Sequence, residues 1–201
     1  MPWKPDYISA DDLADFHRVD DDVDDINYAE CATTASRAVD NATHRQFGRT
    51  ASEARFYDLT WSQSRGMWLI KVDDYVVLTE VAVYDSTGTW VVIDPAKVLK
   101  LDPNDAAKGR PYTEIGIRAA DMPALMWLEF ALRATAEWGW ASVPVAIQLA
   151  TKLQGSRLAA RRDSPYGVAG SPENGSELRL LARLDPDLVT SIKDYIRKLL
   201  P

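Results

Sequence analysis

A chain of 201 residues with 46% hydrophobic content and seven Trp can bury a sizeable core, which excludes wholesale disorder. Its net charge of −7 speaks against duplex-DNA binding by the protein as a whole, because neutralising phosphates takes a surplus of Lys and Arg. The single cysteine, Cys31, excludes an internal disulfide framework and a cysteine zinc cluster, and the isolated His17 and His44 carry no metal-ligand spacing.

The opening Met1-Pro2-Trp3-Lys4-Pro5-Asp6 lacks the apolar core of a signal peptide, and no apolar run approaches the ~20 residues of a membrane span. A protein made in a reducing cytosol, with no membrane partner, is expected. The first 30 residues hold ten acids against Lys4 and Arg18, a net of −8, so the remaining 171 residues sum to +1.

Ser9 followed by Asp12 is a weak capping box and predicts a short helix. A longer helix is expected from Asp20 to Gln46. Val19, Val23 and Ile26 start its apolar face, the Asp20-Asp21-Asp22 run meets its positive end, and Gly48 serves as C-cap. From Arg55 the period shortens. Runs at 55–59, 67–71, 75–83 and 90–93 read as separate strands, with Asp73-Asp74 a turn and Asp85 to Gly88 a hairpin loop. A short strand over 98–101 follows, then Tyr112 to Arg118. From Leu128 to Trp138 apolar residues alternate with polar ones, which predicts a half-buried antiparallel strand over a competing helical register through Leu125, Leu128 and Leu132.

Ser142 as N-cap and Pro144 in the first turn open a helix whose face runs through Ile147, Ala150, Leu153, Gln154 and Leu158 to Arg162. Gly155, near its middle, marks a kink or a close helix–helix approach. A Gly/Ser/Pro-rich loop spans 163–177. Asp185-Pro186 begins the last helix, striped by Leu188, Val189, Ile192, Tyr195, Ile196 and Leu199. The expected class is α+β: N-terminal helices (1–50) and C-terminal helices (141–201) form a helical bundle, with an antiparallel β domain inserted between them (51–140).

Tests for chemistry come out empty. A calcium loop starting at Asp20 would put Asp25 where Gly is required and Cys31 where Glu is required. There is no P-loop, nucleotide-binding glycine motif or nucleophile elbow, and nothing assembles a nucleophile, a base and an oxyanion donor. No catalytic residue, metal site or cofactor is expected. The basic cluster is more informative. Lys152, Arg157, Arg161 and Arg162 share one predicted helix, with no acid from Trp138 to Arg162. It reads either as a solvated helix face or as an interface. In the second case the acidic segment of a neighbouring copy (Asp20, Asp21, Asp22, Asp24, Asp25) is a natural complement, since head-to-tail rings join two different patches.

Trp138-Gly139-Trp140-Ala141-Ser142-Val143-Pro144, then Ala146-Ile147-Gln148-Leu149-Ala150-Thr151, then Arg161-Arg162-Asp163-Ser164-Pro165-Tyr166-Gly167-Val168-Ala169-Gly170 resembles the C-terminal signature of phage head-to-tail adaptors, particularly those of long-tailed actinobacteriophages. The likeness extends more loosely over most of the chain. It implies a non-enzymatic head-completion protein of the virion neck, assembled in the host cytoplasm. Such a protein binds the portal and forms a ring, typically of twelve copies. It continues the DNA channel, through which the genome passes without sequence-specific binding, and offers a platform to a stopper or other tail-side connector. Carried onto this chain, Arg161, Arg162, Asp163, Ser164, Pro165, Tyr166 and Gly167 with the last helix are expected to contact the portal or a neighbouring subunit. Pro165 and Gly167 would hold Tyr166 as an aromatic anchor. A stopper or tail terminator is the alternative in the same setting. A nucleic-acid-binding regulator using Lys152 to Arg162 is the alternative outside it, and a salt-dependent DNA-binding assay separates the two.

Overall fold

A computed structural model describes residues 5–17, 25–127, 129–163, 168–169, 178–179 and 186–197. The chain is α+β and forms two compact units, one of residues 1–5 and 48–142, the other of residues 6–47 and 143–201.

The first unit is an antiparallel sheet. Its strands are β1 (Ser52–Tyr57), β2 (Thr60–Ser62), β3 (Met67–Tyr84), β4 (Trp90–Val92), β5 (Val98–Lys100), β6 (Tyr112–Arg118) and β7 (Leu132–Trp138). The order is β1-β7-β3-β6-β5, with β2 and β4 each paired to β3. The two strands expected at 67–71 and 75–83 are one strand of 18 residues, and Asp73-Asp74 is not a turn. The reason is long-range pairing. The Asp73 carboxylate accepts from Arg55 Nη1 at 2.8 Å and Tyr57 Oη at 3.0 Å, and buried Asp74 accepts from Trp140 Nε1 at 2.9 Å. Register shifts between Lys71 and Tyr75, Tyr75 and Val77, and Leu78 and Glu80 bend the strand there, as bulges do. Its first half pairs with β2 and β6, its second with β4 and β7.

Both halves bury side chains in one core, including Ile70, Val72, Tyr75, Val81, Val83, Ile115, Ile117, Leu132, Ala134, Ala136 and Trp138. The expected hairpin at Asp85 to Gly88 is present: Asp85 N donates to Thr89 O at 2.9 Å, and Asp85 Oδ1 accepts from the amides of Thr87 and Thr89. The alternation from Leu132 to Trp138 is a strand, but it does not begin at Leu128. Phe130 has φ of 49°, a left-handed conformation that no strand admits, and Leu128 lies outside the described residues.

The second unit holds α1 (Ala10–His17), α2 (Asp25–Thr43), α3 (Val145–Asp163) and α4 (Pro186–Ile192), the last followed by a 3-10 turn at Lys193–Tyr195. The capping box is formed. Asp12 N donates to Ser9 Oγ, and Ser9 N donates to Asp12 Oδ2, both at 3.0 Å. Helix α2 stops at Thr43, short of Gln46, because His44 takes the left-handed position with φ of 53°, so the capping place expected for Gly48 is filled by His44. Its expected start at Asp20, together with Asp21, Asp22 and Asp24, lies outside the described residues. Helix α3 begins at Val145, with Pro144 O accepting from Gln148 N at 3.0 Å, so Pro144 takes the capping place expected for Ser142. The last helix is shorter than its stripe suggests. Leu188 and Ile192 are buried, while Val189 and Ile196 are exposed. The two-residue strands Val168–Ala169 and Leu178–Arg179 pair antiparallel.

Helices α1, α2 and α3 pack mutually and α4 packs on α3. Ile8, Leu13, Tyr28 and Ala32 form a core that the partly buried Cys31 lines, and Phe47 is held edge-on between Tyr7 and Tyr195. Gly155 is the close approach anticipated: a Cβ there would lie 3.1 Å from both methyls of fully buried Leu13. Gly155→Ala is therefore expected to be near neutral, the better helix propensity (about 1 kcal/mol) offset by a shift of Leu13. Gly155→Leu should cost about 1–3 kcal/mol by overpacking, read from the urea midpoint of the full chain.

Candidate functional site

The basic helix is partly accounted for within its own chain. Lys152 Nζ donates to Asp12 Oδ1 at 3.1 Å, so the same carboxylate caps α1 and ties it to α3. The Ser9 backbone amide, then the Lys152 ammonium, hold the Asp12 pKa below its ordinary 3.8. A depressed carboxyl stabilises the fold above its unfolded pKa, and that contribution is lost as pH falls through the folded value. Asp12→Ala is expected to lower stability by about 1 kcal/mol at neutral pH. The difference from the parent should close as melting is followed to pH values below 3.8.

Arg157 is half-buried, and Arg161, Arg162 and Asp163 close the last turn of α3, their side chains outside the described residues. Ser164, Pro165, Tyr166 and Gly167 also lie outside them, as do Asp20, Asp21, Asp22 and Asp24; Asp25 is the first residue of α2. Val145 and Leu149 stand exposed one turn apart in the first turns of α3, with Lys152 following three residues after Leu149 on the same face.

The Trp138-Gly139-Trp140 element is structural. Trp138 is fully buried against Tyr57 and Tyr75, with the Arg55 guanidinium 4.8 Å from its ring centroid and Nε1 donating to Glu53 O at 2.9 Å. Burial works against the Arg55 charge, but the carboxylates of Glu53 and Asp73 outweigh it and raise its pKa. Gly139 donates its amide to Asp74 O at 2.7 Å, and Trp140 reaches the Asp74 carboxylate.

The β unit carries a second surface, which sequence reading missed. Strand β1 is inverted: Glu53, Arg55 and Tyr57 point inward, while Phe56 is 51% exposed. In register beside Phe56 sits Arg133 of β7. From Phe56 a chain of rings continues to Trp90 (5.8 Å between centroids), Tyr84 (5.2 Å) and Trp127 (4.9 Å). The Arg133 guanidinium lies 5.2 Å from the Trp90 centroid and pairs with Glu80 at 3.0 Å. At its other end Phe56 opens on a groove shared with Asp58, Trp61, Lys71 and Phe130, in which Asp58 accepts from Phe130 N at 2.7 Å. Trp61, Trp127 and Phe130 are 44%, 48% and 66% exposed, and Val92 and Met126 are similarly open.

Only the inversion of β1 leaves a local trace: Phe56 is an apolar residue on the strand face where Ser52 and Ala54 stand, with charges on the other face. The strip offers apolar area with few polar groups, which suits a partner surface and not bond-making chemistry. Among the described residues no cluster of three or more His, Cys, Asp or Glu could hold a metal ion, and no helix is long and apolar enough to cross a membrane.

No family model and no curated protein matches the chain. Among solved structures it is similar to a chain from the neck of an empty GTA particle computed with C6 symmetry, with a TM-score of 0.57 and 13% identity, covering 96% of this chain and 92% of that one. At this identity the likeness is one of fold, and it extends over almost the whole of both chains.

Proposed function

We propose that this protein is a structural component of the neck of a tailed, phage-like particle, and within the neck the head-to-tail adaptor. The observation that carries the reading is the fold shared along 96% of the chain with a neck chain, reached independently of the WGW and RRDSPYG elements. In this role the protein is not an enzyme and needs no cofactor. It binds the portal, forms a ring that continues the DNA channel, and presents its far face to a stopper or other tail-side connector. Sixfold symmetry is compatible with rings of six or twelve copies, and twelve is the number the adaptor resemblance implies. The helical parts from both ends of the chain act as a bundle, with 51–140 as an inserted β domain. An acidic bore repels phosphates and lets DNA slide without sticking. Virion location and assembly in the host cytoplasm follow from the same role.

The contact surface assigned to this role is the basic end of α3 (Lys152, Arg157, Arg161, Arg162) with residues 163–167, set against the portal or the acidic residues 20–25 of the next copy. Lys152, already paired with Asp12, contributes through the helix it anchors more than as a free charge. Mixing the full chain with its cognate portal and measuring mass should give a ring-sized complex, and no complex at any salt would refute the adaptor role. The double variant Arg161→Glu, Arg162→Glu should lose ring formation while melting like the parent; normal assembly by that variant would remove these residues from the interface.

A further inference from the structure

We infer that two free copies of this chain pair about a two-fold axis, aromatic strip against aromatic strip, with Phe130 of each seated in the groove of the other. The inference goes beyond the neck role and stands on a different surface. Phe56, Trp61, Trp127 and Phe130, about half exposed or more, with Val92 and Met126 beside them, offer roughly 600 Å² of apolar surface. That is the upper end of what a monomer leaves uncovered.

Area decides the occupant. Two such strips face to face remove roughly 1,200 Å² of accessible surface, the threshold of a stable interface. No other group of described residues matches the strip. The remaining exposed large apolar side chains are Phe16, Val77, Val145, Leu149, Val189 and Ile196, and no element offers more than two of them. Charge does not oppose the pairing. The charges placed in the groove and between the rings are Asp58 and Glu80 against Lys71 and Arg133, and they balance. A face without net sign does not repel a copy of itself, and it has no positive field to draw in a nucleic acid.

Shape supplies the reciprocity that a two-fold contact needs. Phe130 is 66% exposed at φ of 49°, a conformation that a bulky side chain rarely takes. The Asp58 carboxylate holds it there by accepting from its amide. Beside this knob lies a groove of about 620 Å³ whose walls include Phe56, Trp61 and Leu69. Knob and hole are neighbours on one chain, so a two-fold copy offers each its complement. Such a pair closes on itself and is a contact of the free chain, separate from one that propagates round a ring.

The test weighs the full-length chain alone, without portal, by sedimentation equilibrium over a range of micromolar concentrations. A mass of two chains is expected at the upper end. Phe130→Asn should melt at or above the parent's temperature, since Asn tolerates the left-handed region, and should weaken the dimer about tenfold or more. Met126→Glu, at an exposed position next to Trp127, should weaken the dimer likewise and leave melting unchanged. A single-chain mass at every concentration, a larger cyclic assembly, or undiminished dimerisation of either variant overturns the pairing. So does a monomeric parent whose complex with the portal is lost in Phe130→Asn, which would give the strip to the portal. The adaptor role is decided separately, by the mass of the portal mixture.

Discussion

Gly139→Ala is expected to unfold the β unit or leave it destabilised by about 4 kcal/mol or more, the largest effect of a methyl added at any of the described glycines. Gly139 has φ of +106°, where a side chain is strained whatever the space around it. Space is also lacking. A Cβ would fall 2.1 Å from Gly48 O and 2.7 Å from Gly48 C, both backbone atoms that cannot swing aside. Relief would require separating the chain at Gly48 from the chain at Gly139, and with it the bond from Thr50 N to Trp138 O at 2.8 Å. Urea denaturation followed by Trp fluorescence checks this. A variant within about 1 kcal/mol of the parent would mean that the approach of the two glycines is far looser than described.

Trp138→Ala should cost about 3–5 kcal/mol, the usual range for emptying a buried indole site. Its removal leaves a cavity between Tyr57 and Tyr75, takes the donor from Glu53 O, and strips the ring from beneath the Arg55 guanidinium. The last loss matters because Arg55 is tolerated on the inner side of β1 only with Glu53, Asp73 and that ring around it. Trp138→Phe keeps most of the volume and loses the hydrogen bond, so about 1–2 kcal/mol is expected, and the gap between the two variants in one denaturation series measures the cavity. Equal losses would place the stabilisation in the indole N–H alone.

What could be read from sequence was what neighbours along the chain decide. The Ser9–Asp12 box and the Asp85 hairpin are closed by residues a few positions apart, and the alternation from Leu132 to Trp138 is itself a local pattern, although the strands it pairs with are distant. Asp73-Asp74 misled because its meaning lies elsewhere: the partners are Arg55, Tyr57 and Trp140, 16 to 66 residues away. The same holds for Lys152, whose place in a basic run suggested a partner on another molecule, while its acceptor, Asp12, is 140 positions back in its own chain. The aromatic strip escaped notice for a different reason. Its rings come from β1, β3, β4 and the segment before β7, and only the folded sheet sets them in line.

The undivided strand β3 has a consequence for how the β unit responds to load. Two half-sheets joined by a turn could part there, each keeping its own pairing, as segments of a hinged plate do. Here one backbone is the inner rail of both, and the bend at Lys71 to Glu80 is made without interrupting it. Tension applied to β2 or β6 therefore reaches β4 and β7 through peptide bonds, and the unit resists or yields as a whole. For a protein proposed to sit between a packed head and a tail, that is the behaviour of a strut.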